Sequence, residues 1–403
     1  MKSGFALWVR GSVLALALPT LALAQSPAPQ RGGGAKNAAV DRAARPALPA
    51  ARDYRPPQGI TFKATDFFSE NVRLTAQWFY AAENEGRKLP TIIMAHDWGA
   101  TAADFREDAV DLARAGYLVM LFDYRGWGDS DGRVMLTSPQ SVARGPATGG
   151  TFTAKMRELR GYIDPWEQNE DWFNAMSYAA ASPTVDAGRI GLLGGGFSGG
   201  HVVYVAAHEP RVKALVSLVS SVDSRPYKPY QPDPAKVIAQ ANAEASRIAT
   251  GQAQYPADRA RAADVLVGAP VGNKVVRWAP VELANRVTAP ALFVLAEKEE
   301  LFSNISNGQL ACERVQGPRK MVMLPEITHD GAYGAERTRA VTAAVDWFDR
   351  YLKPPGAPTR LPMNSNEPER GECDPPPLPP AGEDDSSGFE EAPKAQNTST
   401  RFN

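Results

Sequence analysis

Ile190-Gly191-Leu192-Leu193-Gly194-Gly195-Gly196-Phe197-Ser198-Gly199-Gly200-His201-Val202-Val203 is the stretch on which the fold turns. Its first four residues form a short apolar run of the kind a buried strand uses. His201–Ala207 reads as helix immediately after it. Between the two the chain must turn sharply from strand to helix, and such a turn tolerates only small flanking side chains. Gly194, Gly195, Gly196, Gly199 and Gly200 meet that demand. The pattern Gly196-Phe197-Ser198-Gly199-Gly200 then presents Ser198 as a nucleophile above the sheet, at a helix N-terminus whose N–H groups favour developing negative charge.

A second match, Gly128-Asp129-Ser130-Asp131-Gly132, ends the stretch Asp123-Tyr124-Arg125-Gly126-Trp127-Gly128. It has neither a strand directly before it nor a helix after it, and two carboxylates flank its serine. It reads as a loop.

Working outward, Thr91–Ala95, Tyr117–Phe122, Ala214–Val219, Ala291–Leu295 and Met321–Leu324 are further buried-strand candidates. Helical patterns at Ala102–Ala115, Trp166–Ala181, Gly199–His208, Ile305–Val315 and Glu336–Tyr351 alternate with them. Apolar strands alternating with helices imply an α/β fold, a mostly parallel twisted sheet with helices on both faces. Ile60–Phe67 and Val72–Ala81 suggest an opening antiparallel hairpin. Between Ser221 and Val287 no strand-like run occurs. That Pro-rich, then Ala-rich segment reads as a helical cap insertion, about 221–287, over the sheet edge where such folds bind ligands.

The base follows the nucleophile in chain order, on the loop after the last strand. Of the four histidines, His329 in Thr328-His329-Asp330-Gly331 holds that place. His201 lies on the same helix as Ser198 and faces elsewhere, and His208 reads as a helix-end residue meeting the last carbonyls. The acid is expected after Ala291–Leu295, in Ala296-Glu297-Lys298-Glu299-Glu300. Glu299 is the first choice, Glu300 the second, and Asp223 a third. The oxyanion hole needs two backbone N–H donors. Gly199 is one, and Trp98, in His96-Asp97-Trp98-Gly99, is the other. His96 reads as a loop-shaping residue. Asp97 is unusual so near an oxyanion, either binding a substrate amine or bonding its own loop.

Taken together, His96–Gly99, Asp123–Ser130, Gly196–Gly200, Ala296–Glu300 and Thr328–Gly331 resemble the α/β-hydrolase superfamily in order and spacing. The resemblance covers about Gly59 to Leu352. Within it, the elbow and Asp164-Pro165-Trp166-Glu167-Gln168 are similar to dienelactone-hydrolase-like and acyl-esterase groups with a serine nucleophile. The resemblance implies the fold and the reaction type. Two departures stand out: Glu where many relatives carry an acidic Asp, and Asp97 where many carry Gly.

The remaining sequence sets limits. Lys plus Arg total 44 and Asp plus Glu 45, so no basic surplus exists for nucleic acid. Lys2 and Arg10, the apolar run Ser12–Leu23 and Ala22-Leu23-Ala24 read as a signal peptide over residues 1–24. The run is short for a membrane span of about 20 residues. A periplasmic or secreted location follows. Residues 25–57 read as a flexible linker, 58–353 as the hydrolase domain and 354–403 as a Pro-rich, disordered tail. Cys312 and Cys373 are either bridged or two free thiols. No metal constellation and no phosphate-binding Gly loop with its Lys occurs, so no cofactor is expected. The function expected is cleavage of a small-molecule carboxylic ester through an acyl-enzyme on a Ser198–His329–Glu299 triad. An amidase or peptidase of the X-prolyl or cocaine-esterase type, and a non-catalytic binding module, are the alternatives.

Overall fold

The computed structural model describes residues 48–137, 153–228, 230–255, 268–354 and 373. The expected signal peptide, most of the linker and nearly all of the Pro-rich tail lie outside the described residues.

Eight strands form one sheet: β1 (Ile60–Ser69), β2 (Val72–Ala81), β3 (Leu89–Ala95), β4 (Leu118–Phe122), β5 (Val185–Gly195), β6 (Val212–Leu218), β7 (Ala291–Ala296) and β8 (Arg319–Leu324). Their spatial order is β1-β2-β4-β3-β5-β6-β7-β8. β2 runs antiparallel to both β1 and β4, and β3 through β8 run parallel to one another. The opening hairpin and the parallel core therefore sit where the sequence patterns put them.

Alternation along each strand splits the core in two. Ile93, Met120, Phe122, Leu192, Leu215 and Phe293 face one side, packed against Trp172, Ala175 and Val202. Ile92, Val119, Leu121, Leu193, Val216 and Leu292 face the other, packed against Ala109, Leu112, Ala344 and Phe348. The helices supplying the first layer are Pro165–Ala181 and Phe197–Ala206; those supplying the second are Arg106–Arg114 and Arg337–Tyr351. Burial on both faces is why Leu118–Phe122 and Ala291–Ala296 are apolar at every position.

Within 221–287 the helix Pro234–Ala249 is present, capped by the Asp233 side chain accepting from the Lys236 N–H. One expectation is corrected there: Ala269–Pro270 does form a short strand, parallel to Tyr162–Ile163. Two residues are too few to leave a pattern in sequence.

Residues 48–57, the described part of the expected 25–57 linker, pack against the domain. Ala51–Asp53 is a helical turn whose Ala51 N–H donates to Asp129 Oδ2 at 2.5 Å, and Arg106 donates to the Pro49 carbonyl at 2.7 Å. Tyr54 packs edge-on to Phe62 and Phe79, with the Arg106 guanidinium over its ring. These partners are distant in sequence, so composition alone reads the segment as loose.

Cys312 and Cys373 are joined, closing 61 residues, and both are buried. A bridge of this span constrains the unfolded chain by about 2–4 kcal/mol. Cys373→Ser should therefore lower the urea midpoint of unfolding and steepen the slope, as the freed unfolded chain exposes more surface, measured by circular dichroism.

Candidate active site

The turn between β5 and Phe197–Ala206 has its apex at Gly196, which takes φ 53° and ψ −120°. This positive φ is open to glycine and strained for other residues. The helix begins at Phe197, so Ser198 lies in its first turn, two residues past the apex. Ser198 was expected at the apex itself; the apex residue is Gly196. Its Oγ is buried and meets the Tyr124 hydroxyl at 2.9 Å, while Trp172 Nε1 donates to that same hydroxyl at 2.8 Å. Burial pushes the Tyr124 phenol up, so it cannot draw the serine proton. Five glycines around Ser198 leave the register of the motif open in sequence, and backbone torsion closes it at Gly196.

The space above the apex is filled by Asp97. A Cβ added to Gly196 would fall on the Asp97 carboxylate. Asp97 Oδ1 accepts from the Trp98 N–H at 2.6 Å and the Phe197 N–H at 2.7 Å. One donor comes from the loop after β3 and the other directly follows the apex, the arrangement an oxyanion hole requires. Trp98 was expected here. The N–H of Gly199, the other expected donor, returns to the Gly196 carbonyl at 3.1 Å inside the helix, and the N–H beside Trp98's is that of Phe197.

Asp97 Oδ2 lies 3.5 Å from His329 Nε2, and Glu299 Oε2 lies 2.9 Å from His329 Nδ1. His329 sits in the turn His329–Tyr333 after β8, and Glu299 on the loop after β7. Glu300 accepts the His329 backbone N–H at 2.9 Å, which fixes the loop rather than the ring. Asp223 is held by Arg225 and does not reach the histidine. The structure thus brings His329, Glu299 and Trp98 together with Asp97 and leaves Ser198 on the inner side of the turn.

All three side chains are nearly sealed from solvent: 6% exposed for Asp97, 4% for His329 and 1% for Glu299. Burial alone would push the imidazole down. The hydrogen bonds and charges of Asp97 and Glu299 outweigh it and raise the ring to about 10. His329 therefore carries both ring protons at neutral pH, one toward each carboxylate. The rings of Phe302 and Tyr333 stand edge-on to it at 5.6 and 5.9 Å.

The other polar residues support this line. His96 Nδ1 donates to the Asp97 carbonyl at 2.9 Å and its Nε2 accepts from the Tyr124 N–H at 3.3 Å, so it shapes the loop. Burial lowers it to about 4 and keeps it neutral. His201 bonds Asn169 and Gln168, which accounts for the Gln168 of the Asp164–Gln168 motif, and burial lowers it to about 3. His208 Nδ1 meets the Tyr204 carbonyl at the helix end. Ser130 is structural: its Oγ donates to the Asp123 carbonyl at 2.7 Å and accepts from the Thr75 N–H at 2.9 Å. Trp278 is fully buried against His201 and Tyr204, part of the packing rather than a pocket wall. Asp97, Gly196 and Phe197 are the site residues that sequence reasoning missed. The signal available was Asp97 itself, a carboxylate where a glycine was expected.

Comparison with known proteins adds to this geometry. The family model of X-Pro dipeptidyl-peptidase (S15 family) matches residues 70–269, just under half of the chain. The quorum-quenching protein AidA of Acinetobacter baumannii is 31% identical over 152 residues, 38% of this chain and 41% of that protein. The chain thus spans about two fifths of that relative's length. Among solved structures, the hypothetical protein PA2218 of Pseudomonas aeruginosa aligns with TM-score 0.56 at 16% identity, over 76% of this chain and 100% of that one. The alpha/beta hydrolase GrgF of Penicillium sp. sh18 aligns with TM-score 0.55 at 18% identity, over 72% and 99%.

Two outcomes follow. Gly196→Ala should destabilise by about 1–3 kcal/mol from backbone strain, plus the collision with Asp97. In an Asp97→Gly background the loss in urea unfolding should be smaller, a coupling a double-mutant cycle reads. Folding holds the His329 proton more tightly than its ordinary value of 6.5. Its contribution to stability is then whole below pH 6.5 and is lost as pH rises through about 10. A histidine NMR titration should find that high value, and Asp97→Asn should bring it down.

Proposed function

We propose that this chain, which has the α/β-hydrolase fold, hydrolyses a C–O bond of a small molecule at an Asp97–His329–Glu299 centre. The observation carrying this reading is the position of the Asp97 carboxylate. It stands over the elbow apex, between two converging N–H donors, with the Glu299-paired His329 at 3.5 Å. Glu299 orients the ring and His329 moves the proton. The export signal expected at residues 1–24 would put the substrate outside the cytoplasm.

Cleavage of a carboxylic ester through a Ser198 acyl-enzyme, the reaction the motif suggests, would require Ser198 to leave Tyr124 and pass the Gly196 apex. In the present reading any ester turnover is independent of Ser198. The X-prolyl-peptidase family match over residues 70–269 favours a second reading, amide cleavage, which would use the same centre.

A panel of p-nitrophenyl esters and p-nitroanilides, together with fluorophosphonate labelling, tests this. The wild type should resist the fluorophosphonate, a reagent for activated serines. Ser198→Ala should keep turnover within about threefold, since it loses one buried hydrogen bond. His329→Ala should lose about a hundredfold or more. Labelling at Ser198, or loss of turnover in a folded Ser198→Ala protein, would restore the serine mechanism.

A further inference from the structure

We propose that the chain has a second small-molecule site, separate from the Asp97 centre, which takes a planar aromatic ring bearing one carboxylate. The proposal does not rest on the reading of that centre.

The site is a cavity of about 420 Å³ at the opposite end of the sheet. Ligand pockets in proteins run from about 300 to about 1,000 Å³. Lys63 and Thr65 on β1, with Trp78 and Tyr80 on β2, fall on one face of the hairpin by strand alternation, and Lys63 stands across from Trp78. The last turn of the helix Pro165–Ala181 supplies Tyr178 and Ala181, and the chain then passes through Ser182-Pro183-Thr184 into β5. Buried Leu89 and Leu118, the first residues of β3 and β4, lie at the base. Asp97 follows the far end of β3, roughly 20 Å away for a strand of seven residues rising about 3.3 Å each. A small molecule held here is not the one that reacts there.

The walls favour a flat apolar ring. They are built of aromatic side chains whose polar atoms are already committed. Trp78 Nε1 and the Tyr178 hydroxyl both donate to Thr65 Oγ1, at 2.9 and 3.0 Å. The Tyr80 hydroxyl donates to Glu85 Oε2 at 2.5 Å. The Ser182 and Thr184 hydroxyls meet each other at 3.1 Å. Tyr178 is fixed further by stacking on Phe67, with ring centres 5.3 Å apart, and Trp78 leans on it at 6.0 Å. A sugar, with hydroxyls on every side, would find few partners here and leave its own groups unsatisfied. A flat hydrocarbon ring needs none, and gains from contact with aromatic neighbours.

The rim selects the charge. Lys63 Nζ is paired with Glu85 Oε1 at 3.2 Å, so these two offset each other. Arg87 is held differently: its NH1 donates to Asn84 Oδ1 at 2.7 Å, and among the described residues it pairs with no carboxylate. Asn84 is itself buried, so the guanidinium is positioned before a ligand arrives. The remaining N–H groups of that guanidinium form a fork that fits a carboxylate. One positive charge thus stands uncompensated over an apolar wall. The ligand that matches it carries one negative charge beside a ring.

The test titrates the full chain with trans-cinnamate, by calorimetry and saturation-transfer NMR. Cinnamyl alcohol keeps the ring and lacks the charge; acetate keeps the charge and lacks the ring. Cinnamate should bind more tightly than either. Arg87→Gln should weaken cinnamate about tenfold and leave cinnamyl alcohol unchanged. Ala181→Phe should fill the cavity and abolish binding of both. Arg87 and Ala181 are exposed, so both variants should keep the wild-type urea midpoint. Asp97→Asn and His329→Gln should bind cinnamate as the wild type does. Light-activated 4-benzoylbenzoate should label the peptides carrying residues 78–87 or 178–184. Failure of cinnamate and 4-benzoylbenzoate to bind would overturn the site. Equal affinity for cinnamate and cinnamyl alcohol would overturn the carboxylate in the ligand class. Binding that persists in Ala181→Phe and disappears in Asp97→Asn would place the ligand at the reacting centre and overturn a second site.

Discussion

A buried carboxylate held by two backbone N–H groups and a protonated imidazole is the constraint on which this site depends. The Asp97 side chain is 6% exposed, and a buried carboxylate is costly unless such partners meet it. The Trp98 and Phe197 donors cost no reorganisation, because the loop after β3 and the helix start after β5 already point them at one spot. His329 adds the opposite charge, and Glu299 keeps that charge oriented. Each member needs the others: remove Asp97 and the imidazole loses one of the two carboxylates that raise it; give Gly196 a side chain and the carboxylate loses its place.

The framework that aims these groups is itself polar and buried. Arg125 makes a two-pronged pair with Asp171 at 2.9 and 2.7 Å, and its backbone N–H also donates to that carboxylate. The pair pins the segment after β4 that carries Tyr124. Tyr124 in turn holds Ser198 and receives the Trp172 N–H, which locks the start of the elbow helix against Pro165–Ala181. Breaking a buried pair by removing one partner strands a charge and is strongly destabilising. Asp123 extends the same framework, accepting the Ala102 N–H at 2.7 Å and the Asp129 N–H at 3.2 Å. Burial raises it to about 7. The second glycine–serine motif is thus scaffold, and Ser198 is tied to it through Tyr124.

The amino-acid sequence by itself determined the sheet, the helices and their order. Apolar runs and helical periodicity are local properties, and burial of strands on both faces writes itself into consecutive residues such as Leu118–Phe122 and Ala291–Ala296. It also determined that a histidine after β8 and an acid after β7 lie at one end of the sheet, since chain order in this architecture carries that information. Only the tertiary structure decided which residue occupies the apex of the turn. In Gly194–Gly200 several registers satisfy the same demand for small side chains, and a backbone torsion at Gly196, set by how β5 and its helix pack, selects one. Only the tertiary structure, too, could place Asp97, one hundred residues earlier in the chain, over that apex. Its position depends on two loops converging across the sheet, and no local pattern records a contact of that range.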